Sequence, residues 1–471
     1  MVSAHRFLAT ILARRLTPTT PTVRSYVPIN KTDLFAQYIR KTNRYTWAPN
    51  GSITTVSCEG TGLFGTEFLT VCCPDDFYAV RVGFPNLSTS PLTLPSVMAA
   101  PSDSVNDLCN PTGGFAAVRL TFANGGADID KIVTVSGALQ TVTVSPNNVD
   151  PTSGEARVPA WTWTDWVNCN SAPPDPASNM RVLMIRLTVN RNQGQPVTFA
   201  NGKFDGWSGV STVNRGYDAF HGGINNGTDH TMFDYIPKEL AFVNSLTNGP
   251  IAACVQFMTA HSGVTGMTTG DSHHSGVGTI ASFHNYLNQA VLSIGQKYAG
   301  VIPFGSVNCA NGGANSQQFF PYLQSLMPFV NPTFVVLPGW SYNELNGEIN
   351  ADSIACSRFF ARLLQVSDVV RMSGAIPIFL TPFPRDDKAM LVPQVTAWLK
   401  LRQSILDMRM QGEIVIDAAA ALGHSTNGVL DGTYNPNVTT DNVHPNDAGH
   451  AAVAAQLRPI IEQMGNTRSL I

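Results

Sequence analysis

The sequence predicts a chain of two parts. The first is a β-rich domain of sandwich, jelly-roll-like kind. The second is an α/β domain in three layers, α/β/α, on a parallel sheet. Three observations carry this. Before residue 200, short runs rich in Val, Thr, Phe and Leu (77–82, 116–122, 132–144, 180–189) alternate with clusters of Asn, Gly, Pro and Ser, the punctuation of successive strands and turns. After residue 265, five strand-like runs (266–270, 301–307, 333–337, 376–381, 413–416) each precede an amphipathic helical stretch (279–298, 317–329, 351–372, 388–410, 447–464). Strands that alternate with helices form a parallel sheet covered on both faces. Finally, 471 residues are more than one hydrophobic core usually serves. The expected division is a basic N-terminal arm at 1–25, the sandwich at 26–200, a connecting region at 201–264 and the α/β domain at 265–471.

The arm holds Arg6, Arg14, Arg15 and Arg24, and no acidic residue precedes Asp33. Its apolar stretch, 7–12, is too short for a secretory leader and runs directly into Arg14 and Arg15. Such an arm is expected to lie on another subunit, in a homo-oligomer or a larger assembly, because a lone terminus frays.

Composition narrows the class of protein. Hydrophobic residues make up 43% of the chain, which is enough to build packed cores. Charged residues make up only 13%, so the surface must be built from hydroxyls and amides. That balance suits proteins outside cells or on virions. A net charge of −3 points to no nucleic-acid partner. No apolar run reaches the roughly 18 to 20 residues that span a bilayer. Eight cysteines (58, 72, 73, 109, 169, 254, 309, 356) show no CxxC spacing, which argues against a zinc site. Bridges within the first half and buried free thiols are both compatible with their positions.

Four short segments fall where an α/β sheet places its loops, at the carboxyl ends of the strands. They are Gly270-Asp271-Ser272-His273-His274; the Asn308–Ser316 segment, with Gly312 and Gly313; Gly339-Trp340-Ser341-Tyr342-Asn343-Glu344; and Asp441-Asn442-Val443-His444-Pro445-Asn446-Asp447-Ala448-Gly449-His450. Alone, each is ordinary: a helix cap, a glycine turn, a polar loop. Together and in this order, they resemble the four sequence blocks of the SGNH/GDSL hydrolases over roughly 265–465.

The resemblance implies a serine esterase that needs no cofactor, with Ser272 as nucleophile and Asp441 and His444 as its partners. It also implies an oxyanion hole from the Ser272 and Gly313 backbone N–H groups and the Asn343 side chain, with Gly312 a second candidate. Two features depart from the pattern: the third block usually reads Gly-x-Asn-Asp, and here Ser341 and Glu344 flank Tyr342 and Asn343.

The chemistry needs these residue types. A serine hydroxyl attacks only when a base takes its proton, and imidazole does so near neutrality. The imidazolium then needs an anion to orient it, and the tetrahedral oxyanion needs fixed donors. No GxSxG elbow, HExxH, EF-hand, Walker A or GxGxxG pattern is present. His273 and His274 lack a second ligand cluster, so no metal is expected. His450 is expected to pack or cap the last helix.

Trp340 and Tyr342 are expected to line a substrate cleft, while Trp161, Trp163 and Trp166 fit packing better than sugar stacking. The expected activity is hydrolysis of short acyl esters, acetyl above all, on an O-acylated glycan or a small ester. Location outside the cell or on a virion is expected. The alternative is a non-catalytic virion or adhesion protein that keeps the fold as a glycan-binding module.

Overall fold

The computed structural model describes residues 39–48, 52–58, 64–86, 92–94, 96–102, 118–119, 134–135, 138–142, 158–175, 179–190, 195–201, 220–227, 254–279, 284–344, 353–386 and 392–467. The basic arm lies outside the described residues.

Among the described residues, the central sheet has nine strands. In chain order they are β1 (Thr42–Ala48), β2 (Phe77–Asn86), β3 (Ala160–Trp163), β4 (Val167–Asn168), β5 (Cys254–Thr268), β6 (Phe304–Asn308), β7 (Phe334–Leu337), β8 (Ile376–Leu380) and β9 (Ile414–Ile416). β5 organises the sheet because its two halves pair differently. Its C-terminal half runs parallel to β6 and β7, with Met267 opposite both Val307 and Val335. β8 and β9 continue that parallel order. Its N-terminal half runs antiparallel to β1 and to β2, with Val255 opposite Trp47 and Val82. β3 and β4 pair in turn with β2.

The strand expected at 266–270 is therefore longer and starts inside the stretch read as a connection. The strands within 26–200 do not all stand apart from the α/β sheet. β1 to β4 belong to the same sheet as the α/β strands, since the early half of β5 offers two backbone edges that need partners. Other described strands form an antiparallel sheet of their own: 220–227, 64–73, 181–190, 96–102 and 118–119, in that order.

Among the described residues the helices are α1 (Ser272–Ser275), α2 (Tyr286–Lys297), α3 (Ser316–Val330), α4 (Ser353–Met372), α5 (Val392–Asp407), α6 (Ala418–Leu422) and α7 (Asp447–Asn466). The long helix expected from 279 starts only at Tyr286, where the Asn285 side chain caps the Asn288 N–H. Alternation along the parallel strands supplies two cores. Met267, Val307, Val335, Leu337 and Phe379 pack with Phe319, Leu323, Phe359, Leu363 and Trp398 from α3, α4 and α5. α2 and α7 pack together on the other face, burying Leu287, Val291, Val453 and Leu457. The loops that follow β5, β6, β7 and β8 meet at one end of this sandwich of layers.

Among the described residues, Cys72, Cys73, Cys169, Cys254, Cys309 and Cys356 are buried, and burial pushes Cys169 up to about 12. Cys109 lies outside the described residues. No described helix is long and apolar enough to cross a membrane.

Candidate active site

The turn after β5 is built for a sharp reversal. Gly270 has φ +143°, and a Cβ there would collide with the His274 imidazole. Asp271 caps α1, its carboxylate accepting the His273 N–H at 3.0 Å. Ser272 is the first helical residue. The exposed carbonyls of so short a helix need donors, and two asparagines provide them. Asn285 Nδ2 donates to the His274 carbonyl at 3.1 Å and Asn308 Nδ2 to the Ser275 carbonyl at 3.2 Å.

The last loop brings its two residues to this turn. Asn442 adopts φ 61°, a left-handed conformation that asparagine tolerates. Asp441 Oδ1 accepts the backbone N–H groups of Val443 and His444 at 2.9 and 2.7 Å. Its Oδ2 lies 2.6 Å from His444 Nδ1. His444 Nε2 lies 3.0 Å from Ser272 Oγ. With the carboxylate on Nδ1–H, the Nε2 lone pair faces the serine hydroxyl.

Burial raises the Asp441 carboxyl, but the hydrogen bonds from His444 outweigh it and hold the group below its usual range. Burial, and then the charge of His273, push His444 below an ordinary imidazole. A histidine so lowered is neutral at pH 7 and able to accept a proton.

A second cluster lies behind the serine. Asp271 Oδ1 meets His273 Nδ1 at 3.1 Å and His274 Nδ1 at 3.2 Å. Its Oδ2 accepts the Ser341 hydroxyl at 2.8 Å. Burial alone would raise this carboxyl, yet the two histidines hold it well below the carboxylate range. Sequence reading did not single out Asp271, although its place beside Ser272 was visible.

Gly313 is exposed, with φ +73° and open space where a Cβ would stand. Neither its N–H nor that of Ser272 has an acceptor among the described residues. Gly312 is engaged in an interaction of its own. Asn343 Nδ2 donates to the Ala314 carbonyl at 3.3 Å, which places the side chain beside Gly313 and leaves its second hydrogen for another acceptor.

Trp340 and Tyr342 do not line a cleft; each is 3% exposed. Trp340 packs edge-on against Phe359, while the Tyr342 hydroxyl donates to the Phe383 carbonyl at 3.0 Å. Their apolar bulk gains more from the core behind the loop than from solvent. Trp163 stacks on Phe329 beneath Arg81 and Trp161 on Tyr322, which is packing. His450 Nδ1 accepts the Tyr286 N–H at 3.2 Å, and burial lowers the ring to about 3. It is a neutral structural residue. No cluster of three His, Cys, Asp or Glu able to hold a metal occurs among the described residues.

No family model matches the sequence, and no curated protein sequence matches it. Solved structures do. A GDSL-like lipase from Bacteroides thetaiotaomicron VPI-5482 is 14% identical, with 42% of this chain and 88% of that one covered at a TM-score of 0.33. The likeness is to GDSL hydrolases. A lipase/acylhydrolase from Enterococcus faecalis is 15% identical, covering 44% of this chain and 100% of that one at a TM-score of 0.34. A member of the lipolytic G-D-S-L family from Veillonella parvula DSM 2008 is 15% identical, covering 42% and 97% at 0.31.

Proposed function

We propose that this chain is a serine esterase of the SGNH/GDSL type that hydrolyses short acyl esters through Ser272, His444 and Asp441. The observation that carries the reading is one continuous line of hydrogen bonds. Ser272 Oγ lies 3.0 Å from His444 Nε2, and His444 Nδ1 lies 2.6 Å from Asp441 Oδ2. In this reading His444 removes the hydroxyl proton as Ser272 Oγ attacks the ester carbonyl. Asp441 stabilises the imidazolium. The Ser272 and Gly313 N–H groups and Asn343 Nδ2 receive the oxyanion. His444 then protonates the departing alcohol, and a water activated by the same ring releases the acid.

Two features around the serine support a substrate class. His273 packs on Tyr342 and near Phe383, filling the space behind the turn. The Asp441 side chain is 46% exposed, so the loop itself faces solvent. A filled floor under an open rim suits a short acyl group on a bulky polar alcohol. An acetyl ester on a carbohydrate polymer fits, at the cell exterior or on a virion, with the β-rich first part holding the polymer and the basic arm an assembly.

The test is turnover of p-nitrophenyl acetate against longer acyl esters. Preference for the acetate is expected, and Ser272→Ala should lower kcat by at least about 10³-fold without unfolding the protein. Unchanged turnover in that variant would refute the reading.

A further inference from the structure

This inference rests on the esterase reading and concerns the place where the third block departs from the family pattern. Ser341 stands where that pattern carries glycine, and it is fully buried. Its hydroxyl touches three loops at once. Oγ donates to Asp271 Oδ2 at 2.8 Å, and the Ala314 carbonyl oxygen lies 3.2 Å from it. The same oxygen accepts the Asn343 backbone N–H at 3.2 Å. Asp271 immediately precedes Ser272, Ala314 immediately follows Gly313, and Asn343 Nδ2 leans on the same Ala314 carbonyl.

We propose that Ser341 is a positioning residue that sets the oxyanion donors against the nucleophile. Oxyanion donors accelerate a reaction only when they are held in place before charge develops. Glycine offers no hydroxyl here. Its presence would leave Asp271 Oδ2 buried without this donor and the Asn343 N–H without this acceptor, at a position where unmet polar groups are costly.

Glu344, three residues on from Ser341, is anchored separately. Glu344 Oε1 accepts the Ser316 N–H at 2.6 Å, and Oε2 accepts from Arg362 at 2.9 Å. Glu344 thus ties the loop to the start of α3, while Ser341 ties it to the nucleophile's turn. The two departures from the family pattern are two anchors of one loop.

The experiment measures kcat and KM on p-nitrophenyl acetate for wild type, Ser341→Ala, Ser341→Gly, Asn343→Ala and the Ser341→Ala/Asn343→Ala double variant. Rates are expressed per site titrated with a phosphonate ester. Both Ser341 variants should lose about 10- to 100-fold in kcat, the scale of a donor displaced rather than deleted. KM should stay within about threefold, because the donors act on the transition state. In the Asn343→Ala background, loss of the hydroxyl should cost clearly less than alone, since the donor it positions is gone. Undiminished kcat per site would overturn the proposal, as would equal penalties in both backgrounds. Failure of both Ser341 variants to fold would also overturn it, making Ser341 a packing residue. A wild type inert to every ester and to the phosphonate removes the esterase reading itself. Normal wild-type turnover with indifferent Ser341 variants removes this inference alone.

Discussion

Two Asp–His groupings flank Ser272, and they are alike in composition but opposite in setting. In one, the side chains of Asp441 and His444 are 46% and 17% exposed. In the other, Asp271, His273 and His274 are 0%, 3% and 1% exposed. Both carboxylates lie below the usual range because histidines donate to them. What differs is access. The exposed pair meets the serine hydroxyl and, in the esterase reading, passes a proton to substrate and solvent. The sealed trio meets only the protein, so its bonds fix the turn. Proton transfer needs a group that substrate can reach, and scaffolding needs one held by fixed bonds.

The largest expected effect that separates the two comes from Asp441→Asn. It should lower kcat by about 10³- to 10⁴-fold with little loss of stability, since the amide holds the wrong histidine tautomer. Activity assays beside thermal melts check both halves.

Asp271→Asn should do the reverse in emphasis. Breaking a buried charged cluster costs about 3 kcal/mol or more in stability, read as a lower denaturation midpoint. A depressed folded-state carboxyl contributes stability above the ordinary carboxylate range and loses it as pH falls through the folded value. The wild type should therefore lose an acid-side increment of stability below pH about 4 that the variant lacks. If Asp441→Asn proved the more destabilising, the division of labour would be wrong.

The smallest effect tests where the groupings touch. The rings of His273 and His444 lie 5.3 Å apart, and the charge of His273 is one of the two causes that lower His444. The esterase reading needs neutral His444, so kcat/KM should fall with acid along a limb that lies below the ordinary imidazole value of about 6.5. His273→Asn should move that limb to higher pH. A limb that stays put would separate the two groupings electrically.

Much of the site was legible in sequence because its critical contacts are local. Asp441 and His444 sit three residues apart, and one loop delivers both. The strand–helix alternation after residue 265 likewise declares itself through short-range periodicity. What stayed hidden depends on contacts between distant segments. Ser341 bonds Asp271 across 70 positions, and no local pattern marks that pairing. β1 and β2 join the sheet through the early half of β5, whose partners lie more than 150 residues earlier in the chain. Trp340 and Tyr342 resemble cleft aromatics in sequence, yet packing of Trp340 on Phe359 and the Tyr342 hydrogen bond to the Phe383 carbonyl turn them inward. Burial of an aromatic side chain is set by the fold around it, and its neighbours in sequence do not report it.

The central claim is that Ser272, activated by His444, is the nucleophile. Covalent labelling tests it most directly: the protein is treated with an activated phosphonate ester at pH 7 and the modified peptide is mapped. One phosphonyl group per chain on Ser272, absent in Ser272→Ala and strongly slowed in His444→Ala, is the expected result. Labelling of another residue, or labelling of Ser272 at the same rate without His444, would contradict it.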